Sequence, residues 1–265
     1  MGVVNVTPDS FSDGGRYATH DAAVAHGRAL RADGADLLDV GGESTRPGAT
    51  RVPPDEEQRR ILTVIETLAA DGAVVSVDTM NAATAVAAVA AGARVVNDVS
   101  GGLADPDMLA AVASTDADVV LQHWRGHSAD MYGTAVYDDI VAEVLGELGE
   151  RVAAARDAGI ADDRIIVDPG FGFGKTPEQN WQVVRGLDRA LDGGHRVLLG
   201  TSRKRMLAVA ALGAGLELEG EARLDLATAV TSVLAAQAGV WAVRVHDVAA
   251  TRLALAVRGA WEGER

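Results

Sequence analysis

The chain has 265 residues, of which 48% are hydrophobic, a length and composition that suit one domain with a well-buried core over residues 1–265. Its formal net charge of -14 at pH 7 argues against a nucleic acid partner, because proteins that bind the phosphate backbone normally present a basic face. The absence of cysteine excludes disulfides, thiolate metal ligands and a cysteine nucleophile.

Apolar, β-branched runs recur along the chain and alternate with alanine-rich stretches. The runs are VVNV (3–6), DLLDV (36–40), VVSVDT (74–79), RVVNDVSGG (94–102), VVLQHWRG (119–126), IIVDPGFGFGKT (165–176), VLLGTSRK (197–204) and VWAVRVHDV (240–248). The intervening stretches predict helices at 54–70, from 81, at 140–158 and at 224–238. Eight strands that alternate with helices predict an α/β fold, a single (β/α)8 TIM barrel. An open doubly wound sheet is the alternative, but no phosphate-binding glycine fingerprint follows the first run.

The chain also lacks the features of a membrane or exported protein. No apolar run approaches the roughly 20 residues that a bilayer span requires, and the N-terminus has neither a basic nor an apolar signal region. We therefore expect a cytoplasmic protein with no membrane partner.

Polar side chains stand at the carboxyl end of every predicted strand. In a TIM barrel these ends converge on one mouth, where active sites lie. One such Asp often only caps the next helix, worth about 1 kcal/mol, but eight polar ends out of eight favour a polar ligand, because buried carboxylates and amides need partners. The residues are Asn5, Asp39, Asp78, Asn97 with Asp98, Gln122 with His123 and Arg125, Asp168, Ser202 with Arg203 and Lys204, and Arg244 with His246.

Four of these residues suit a flat heterocycle. Asp78, Asn97 and Asp168, together with Lys204, offer hydrogen-bond acceptors and donors for a ring with both N–H and C=O edges. A pterin has such edges. The sequence therefore predicts a pterin-like ligand at this part of the mouth.

Three others suit phosphate. Asn5, Arg244 and His246 form a polar, cationic clamp. Because the rest of the site is acidic, a diphosphate would also need a hard divalent cation, held partly by Asn5 and mostly by water and phosphate. Neither His123 nor His127 has a partner at metal-ligand spacing, so both are expected to support structure.

Seven stretches, taken in order, resemble the dihydropteroate synthase family: MGVVNVTPDSFSDGG, DVGGESTRPGA, SVDT, VNDVSGG, DPGFGFGKT, GTSRK and RVHDV. QHWRGHSADM is most similar to the actinobacterial branch. The resemblance implies a transferase of folate biosynthesis, a cytoplasmic homodimer and a target of sulfonamides. The implied reaction condenses 6-hydroxymethyl-7,8-dihydropterin pyrophosphate with 4-aminobenzoate to give 7,8-dihydropteroate and pyrophosphate, with Mg²⁺ as cofactor.

The resemblance also implies roles for individual residues. The pterin is matched to Asp78, Asn97, Asp168 and Lys204, and pyrophosphate to Asn5, Arg244 and His246, with Asn5 also a ligand of Mg²⁺. The aminobenzoate is matched to Phe11, Thr45, Pro47, Phe173 and Arg205, and catalysis to Asp13, Arg46 and Lys204. Arg205 stands where many relatives carry Ser, a departure that bears on the rim of the aminobenzoate site.

Two other functions share such a barrel: a pterin-binding methyltransferase domain and a non-catalytic pterin-binding paralogue. A methyltransferase would have little use for Phe11 in a loop at 7–15 that closes over a second substrate, or for the cations of SRK at 202–204. Release of pyrophosphate that requires both substrates separates these functions.

Overall fold

The computed structural model describes residues 1–7, 16–43, 51–126, 136–216 and 220–263, and its strands form one parallel sheet in sequence order. The strands are β1 Gly2–Asn5, β2 Leu37–Gly41, β3 Val74–Asp78, β4 Val95–Asp98, β5 Asp118–Gln122, β6 Ile165–Asp168, β7 Arg196–Leu199 and β8 Ala242–Val243. Each of the eight predicted runs overlaps one strand, and five strands end at a polar residue of the predicted set: Asn5, Asp78, Asp98, Gln122 and Asp168.

A bridge between Gly2 and Val245 joins the last run of the chain to β1. The amide of Val3 donates to the carbonyl of Val245 at 3.1 Å, and the amide of Val245 donates to the carbonyl of Met1 at 2.9 Å. The sheet thus closes on itself and has no free edge, which confirms the predicted (β/α)8 barrel.

The helices lie between the strands in chain order. Those in the described residues are α1 Arg16–Ala32, α2 Pro54–Ala70, α3 Ala82–Ala90, α4 Met108–Ala113, α5 Ile140–Asp157, α6 Pro177–Arg185, α7 Leu187–Leu191, α8 Arg205–Gly213, α9 Glu221–Ala238 and α10 Val248–Glu262. The four predicted helices are present, but α9 begins three residues earlier than predicted, directly after Gly220, which has a φ of 79°. No helix within the described ranges has the length and apolar character that a bilayer span requires.

The two ends of the barrel interior differ in polarity. Towards the amino ends of the strands, Met1, Val95, Val120, Ile166 and Leu198 pack into a buried apolar cluster. Each such side chain contributes about 1.5–3 kcal/mol when it is fully buried. Since this floor is filled, the polar residues gather at the carboxyl ends of the strands and face the mouth.

Candidate active site

The strand register aligns the ends of four neighbouring strands at one level, with polar residues on three of them and a glycine on the fourth. Asn5 of β1 lies beside Gly41 of β2, Gly41 beside Asp78 of β3, and Asp78 beside Asn97 of β4. A Cβ atom at Gly41 would lie 3.3 Å from the Cβ of Asp78, a tight contact. The glycine therefore leaves space between Asn5 and Asp78 at the barrel mouth.

Arg244, which follows β8, bridges two buried carboxylates. Its Nε donates to Asp39 Oδ2 at 2.6 Å and its Nη2 donates to Asp78 Oδ2 at 2.8 Å. Asn97 Nδ2 donates to the same oxygen of Asp39 at 3.0 Å. Asp39 is completely buried, and its Oδ1 has no hydrogen-bond partner among the described residues. Arg244, predicted as a phosphate contact, therefore also ties together the side chains that flank the predicted pterin pocket.

Burial dominates the electrostatics of this group. It raises the pKa of Asp78 well above the usual range of a carboxyl; the positive charge of Arg244 opposes that rise and the negative charge of Asp39 adds to it. For Arg244, burial alone would lower the pKa, but the two carboxylates outweigh it and raise the pKa above its ordinary value. Asp78 therefore binds a proton more readily than an exposed carboxylate does.

Asp98 differs from its neighbour Asn97, although both belong to the predicted set of strand ends. Its carboxylate accepts from the amide of Ser100 at 2.8 Å, from Ser100 Oγ at 2.6 Å and from the amide of Gly102 at 2.6 Å. These bonds use the carboxylate to shape the loop after β4, so Asp98 is a structural residue.

Asp168 and Lys204 form the second part of the mouth. Asp168 is buried, and its Oδ1 accepts from the amide of Gly170 at 2.7 Å. Burial raises its pKa, and the ammonium of Lys204 is the main group opposing that rise. Burial lowers the pKa of Lys204 to about 8, opposed by Asp168. The two groups are thus mutually stabilised in their charged forms.

The two parts of the mouth meet around Gly200, the residue that follows β7. A Cβ atom there would lie 3.8 Å from Lys204 Nζ, 3.9 Å from Arg244 Cβ and 4.0 Å from Asp168 Oδ2. The structure therefore brings Asp78, Asn97, Asp168, Lys204 and Arg244 to one end of the barrel around this point.

Three glycines shape the loop at 169–176, after β6. Gly170, Gly172 and Gly174 have φ angles of 70°, 79° and 58°, in the left-handed region that favours glycine. A Cβ at Gly170 would lie 2.2 Å from the carbonyl oxygen of His123, and one at Gly172 would lie 2.9 Å from Lys204 Cδ. Any side chain at these two positions would displace neighbouring groups of the site.

Phe173 lies on this loop and faces Lys204. The ammonium of Lys204 is 4.8 Å from the centre of the Phe173 ring and donates a hydrogen bond to the carbonyl of Phe171. An aromatic ring in cation–π contact with a lysine makes one wall of a flat, partly charged pocket.

His246 and Ser202 join the loops after β7 and β8. Ser202 Oγ lies 2.9 Å from His246 Nδ1 and accepts from the His246 amide at 3.1 Å. Arg203, between Ser202 and Lys204, instead turns away from the mouth with a φ of 56° and donates to Asp225 of α9 at 2.7 and 2.8 Å. The SRK segment thus contributes one cation to the mouth and not the pair that the sequence suggested.

The structure describes only some of the residues matched to aminobenzoate and catalysis. Arg205 is exposed in the first turn of α8, next to the loop that carries Lys204. The others lie outside the described residues, and so does His127: they are Phe11, Asp13, Thr45, Arg46 and Pro47.

Sequence reasoning missed the partners that hold the site together. It placed Asp39 at a strand end but gave it no role. It also left out Lys175, which is 1% exposed and lies 2.8 Å from His123 Nδ1, and Glu147, which lies 3.0 Å from His123 Nε2. A lysine directly after three spaced glycines was a usable signal, whereas Glu147 on α5 looks like any solvated helix residue.

The donor set at the mouth bears on the expected Mg²⁺. The side chain of Asn5, half-buried at the end of β1, offers one amide oxygen. Within the described ranges no group of three His, Cys, Asp or Glu side chains is placed to hold a metal ion. This sparse set fits Mg²⁺, which commonly takes most of its ligands from water and phosphate, and would not suit a metal that needs a full protein cage.

Comparison with known proteins identifies the family to which the chain belongs. The sequence profile of the pterin binding enzymes matches residues 1–246. Dihydropteroate synthase of Mycobacterium leprae is 50% identical over 262 residues, which cover 98% of this chain and 92% of that protein. The chain belongs to the dihydropteroate synthase family. The predicted family is confirmed, and with it the prediction of an enzyme, a transferase that makes dihydropteroate.

Solved structures of the family agree with the barrel. Xanthomonas albilineans dihydropteroate synthase with 4-aminobenzoic acid has 49% identity and a TM-score of 0.90, and the match covers 100% of this chain and 93% of that chain. The same enzyme in complex with 7,8-dihydropteroate has 46% identity and a TM-score of 0.87, covering 100% and 94%. Both matches extend over nearly the whole length of the two chains.

Proposed function

We propose that the barrel mouth condenses 6-hydroxymethyl-7,8-dihydropterin pyrophosphate with 4-aminobenzoate. The observation that carries the proposal is the pairing of two buried carboxylates, Asp78 and Asp168, with two half-buried cations, Arg244 and Lys204, around Gly200. Such a set matches a substrate with a polar ring and an anionic leaving group. The ligands of the related X. albilineans structures, 4-aminobenzoic acid and 7,8-dihydropteroate, support this choice.

The pterin ring would bind between the two halves of the mouth. Asp168 has one oxygen on the Gly170 amide, and its other oxygen, Oδ2, lies on the Gly200 side. It would accept N–H groups of the ring, while Lys204 donates to ring acceptors and Asn97 holds the opposite edge. Asp78, held by Arg244 at 2.8 Å, would complete the pocket.

The leaving pyrophosphate would bind at Asn5, Arg244 and His246. A guanidinium has five N–H donors, and the bonds to Asp39 and Asp78 use Nε and Nη2, so further donors remain for phosphate. Ser202 fixes the ring of His246. When bound at Asn5, Mg²⁺ would neutralise part of the charge of the pyrophosphate.

The reaction needs positioning more than a strong nucleophile. The amine nitrogen of 4-aminobenzoate forms a bond to the exocyclic methylene carbon of the pterin, and the C–O bond to pyrophosphate breaks with its electron pair. The nitrogen then loses a proton. Asp78 and Asp168 stabilise positive charge on the pterin, and Phe173 with Lys204 aligns the incoming ring. The roles of Asp13, Arg46, Phe11, Thr45, Pro47 and Arg205 stay predictions.

Pyrophosphate release tests the proposal and separates it from the two alternatives. We expect release only when both substrates and Mg²⁺ are present, and loss of release when Mg²⁺ is chelated. A methyltransferase or a non-catalytic pterin-binding protein would bind the pterin but release no pyrophosphate when 4-aminobenzoate is added. Binding of the pterin without release of pyrophosphate on addition of 4-aminobenzoate would overturn the proposal.

We further propose a homodimer formed through α9 and α10, which pack against each other. Apolar side chains spaced four residues apart form one exposed stripe on each helix, and their exposures range from 54% to 88%. An apolar face of this kind is typical of a protein interface. In a two-fold dimer, this face of one copy would pack against the same face of a second copy. The residues are Leu226, Val230 and Leu234 on α9 and Leu253, Val257 and Trp261 on α10.

Sedimentation tests the homodimer. We expect the wild-type protein to sediment at twice the 27.3 kDa of the chain. The double variant Val230→Glu with Val257→Glu should sediment as a monomer, and the control Val136→Glu, at an exposed valine outside both helices, should stay dimeric. A wild-type monomer, or a double variant that still dimerises, would exclude this interface.

Two expectations from the sequence also stay proposals. Sulfonamides should compete with 4-aminobenzoate for the wall formed by Phe173 and Lys204, which an inhibition series with varied 4-aminobenzoate tests. A cytoplasmic location is tested by cell fractionation.

A further inference from the structure

Lysine is rare in this chain and confined to one place. The sequence contains two lysines, Lys175 and Lys204, and every other permanent side-chain cation is an arginine. Lys175 lies on the loop at 169–176 and donates to the carbonyls of Gly170 and Phe173, and Lys204 donates to the carbonyl of Phe171 in the same loop. Lys204 belongs to the mouth described above, whereas Lys175 has no role in it so far.

The Lys175 ammonium is buried inside this loop and uses all three of its N–H donors. Nζ donates to the carbonyl of Gly170 at 2.9 Å and to the carbonyl of Phe173 at 3.1 Å, and lies 2.8 Å from His123 Nδ1. An ammonium donates three hydrogen bonds and accepts none, so His123 must be the acceptor here. The side chain therefore cannot reach a substrate and acts on the backbone around it.

His123 is kept ready to accept this bond. Burial, together with the nearby charges of Lys175 and Arg125, lowers its pKa to about 2, so the ring is neutral over the physiological range. Its Nε2 lies 3.0 Å from Glu147 Oε2, an acceptor, which leaves the proton on Nε2 and the lone pair on Nδ1. Glu147 is thus linked to the ammonium through the imidazole.

The same network returns to the loop through Tyr137. Arg125 Nε donates to Glu147 at 3.0 and 3.1 Å, and the Arg125 guanidinium lies 3.8 Å from the centre of the Tyr137 ring. Tyr137 Oη in turn donates to the carbonyl of Gly174 at 2.9 Å. Three carbonyls of one loop, those of residues 170, 173 and 174, are therefore held by a partly buried polar network.

Hydrophobic stability alone does not explain a lysine at this position. Burying an ammonium without a carboxylate in direct contact costs free energy, and an apolar side chain of similar length would fill the same space at lower cost. The gain from Lys175 is the conformation of the loop, which holds the Phe173 ring 4.8 Å from Lys204 Nζ. That pair is the wall we assign to the second substrate.

We propose that Lys175 is a positioning residue for 4-aminobenzoate: it holds the loop after β6 in the shape that sets Phe173 against Lys204. The inference rests on the proposed function and deepens it. Lys175 acts from behind the wall through the carbonyls of Gly170 and Phe173 and touches neither substrate.

The decisive variant is Lys175→Met, which keeps length and packing but removes the three donors. We expect the KM for 4-aminobenzoate to rise about tenfold or more, because the wall loses its fixed geometry while the pterin contacts of Asp78 and Asn97 are unchanged. Affinity for the dihydropterin, measured by calorimetry, should stay within about twofold of wild type. Circular dichroism and urea unfolding would report whether the barrel is intact.

Two further variants keep the proposal testable if Lys175→Met does not fold. Tyr137→Phe removes only the bond to the Gly174 carbonyl and should raise the KM for 4-aminobenzoate severalfold in the same direction. Val112→Ala on α4, a buried position distant from the loop, is the control: it should lower stability without changing this KM.

The outcomes separate this inference from the proposed function. If the wild-type enzyme releases no pyrophosphate, the proposed function fails. If the wild type is active and neither Lys175→Met nor Tyr137→Phe raises the KM for 4-aminobenzoate, or if the KM for the pterin rises as much, Lys175 is merely structural and the inference is overturned.

Discussion

Two cations near the barrel mouth, the half-buried Arg244 and the buried Lys175, are held in opposite ways. Arg244 contacts two carboxylates directly, Asp39 at 2.6 Å and Asp78 at 2.8 Å. Lys175 contacts only neutral acceptors, two carbonyls and the imidazole of His123. Direct carboxylate contact raises the pKa of Arg244 despite its burial, whereas burial lowers the pKa of Lys175 to about 7.

The difference shows how one site uses two kinds of positive charge. Arginine cannot lose its proton in a protein, and its rigid fork suits two carboxylates at once, so Arg244 is a permanent charge at the barrel mouth. A lysine ammonium is compact, with three donors that can be directed to backbone carbonyls, and its pKa shifts readily when it is buried. Lys175 can therefore shape a loop where a guanidinium would not fit.

The largest effect is expected on removing the cation with direct partners. Arg244→Met leaves Asp39 and Asp78 buried without a counter-charge, which should lower the free energy of unfolding by about 3–5 kcal/mol at pH 7. Urea unfolding measures this. The control Arg185→Met breaks an exposed pair with Glu178 and should change the value by less than about 1 kcal/mol. If both variants lowered the free energy of unfolding equally, the contacts of Arg244 with Asp39 and Asp78 would not be a major source of stability.

The next prediction concerns Lys175, the cation whose direct partners are neutral. The pKa of Lys175 is about 7 in the folded protein and 10.5 as the ordinary value, so between these pH values the unfolded chain binds more protons than the folded one. The free energy of unfolding of wild type minus that of Lys175→Met should therefore rise between pH 7 and 10, by up to about 1.4 kcal/mol per pH unit. Urea unfolding at pH 7, 8 and 9 measures the difference.

The same titration has a direct spectroscopic readout. Because the chain contains two lysines, ¹³C labelling of lysine gives two Cε signals, and Lys175→Met identifies which belongs to Lys175. Its chemical shift should titrate well below pH 10. The contrast between Lys175 and Arg244 would be wrong if the difference in free energy of unfolding between wild type and Lys175→Met did not change with pH and the Cε signal of Lys175 titrated at the usual pH of a lysine.

Asp168 is influenced by the charges of both Arg244 and Lys175. Changing it is expected to have a smaller effect, which is on pterin affinity. Lys204, Lys175 and Arg244 all oppose the effect of burial on its pKa. Asp168→Asn keeps the shape but removes a charged acceptor worth about 1.5–3 kcal/mol, so pterin affinity should fall about ten- to a hundredfold with little change in folding. Calorimetry measures the affinity, with the exposed Asp157→Asn as control. Unchanged binding would make Asp168 a structural residue.

The smallest effect is expected where no buried charge is involved. Ser202→Ala removes two hydrogen bonds of His246, one at Nδ1 and one from its main-chain amide, each worth about 0.5–1.5 kcal/mol. Affinity for pyrophosphate with Mg²⁺ should fall severalfold, and stability should change little. If Ser202→Ala lowered the affinity for pyrophosphate as much as Arg244→Met does, the ring of His246 rather than the guanidinium would dominate phosphate binding.

Much of the fold and of the site was predictable because both follow from local patterns. Each β-branched run overlaps a strand, and the parallel topology brings Asp78, Asn97 and Asp168 to the same end of the barrel. The boundaries of α2 were also predicted, since Pro54 and three acidic residues mark its first turn. A single (β/α)8 barrel then accounts for most of the predicted strand ends at the mouth.

The sequence by itself therefore determined which residue types reach the mouth, because strand period and strand ends depend on neighbours in the chain. Only the tertiary structure decided how they pair. Arg244 and Asp39 are 205 positions apart, and Arg203 turns to α9 while its neighbour Lys204 faces the mouth. The link from Lys175 through His123 to Glu147 joins three separate segments. Such pairings depend on strand register, side-chain length and the space that glycines leave, which become defined only when the barrel closes.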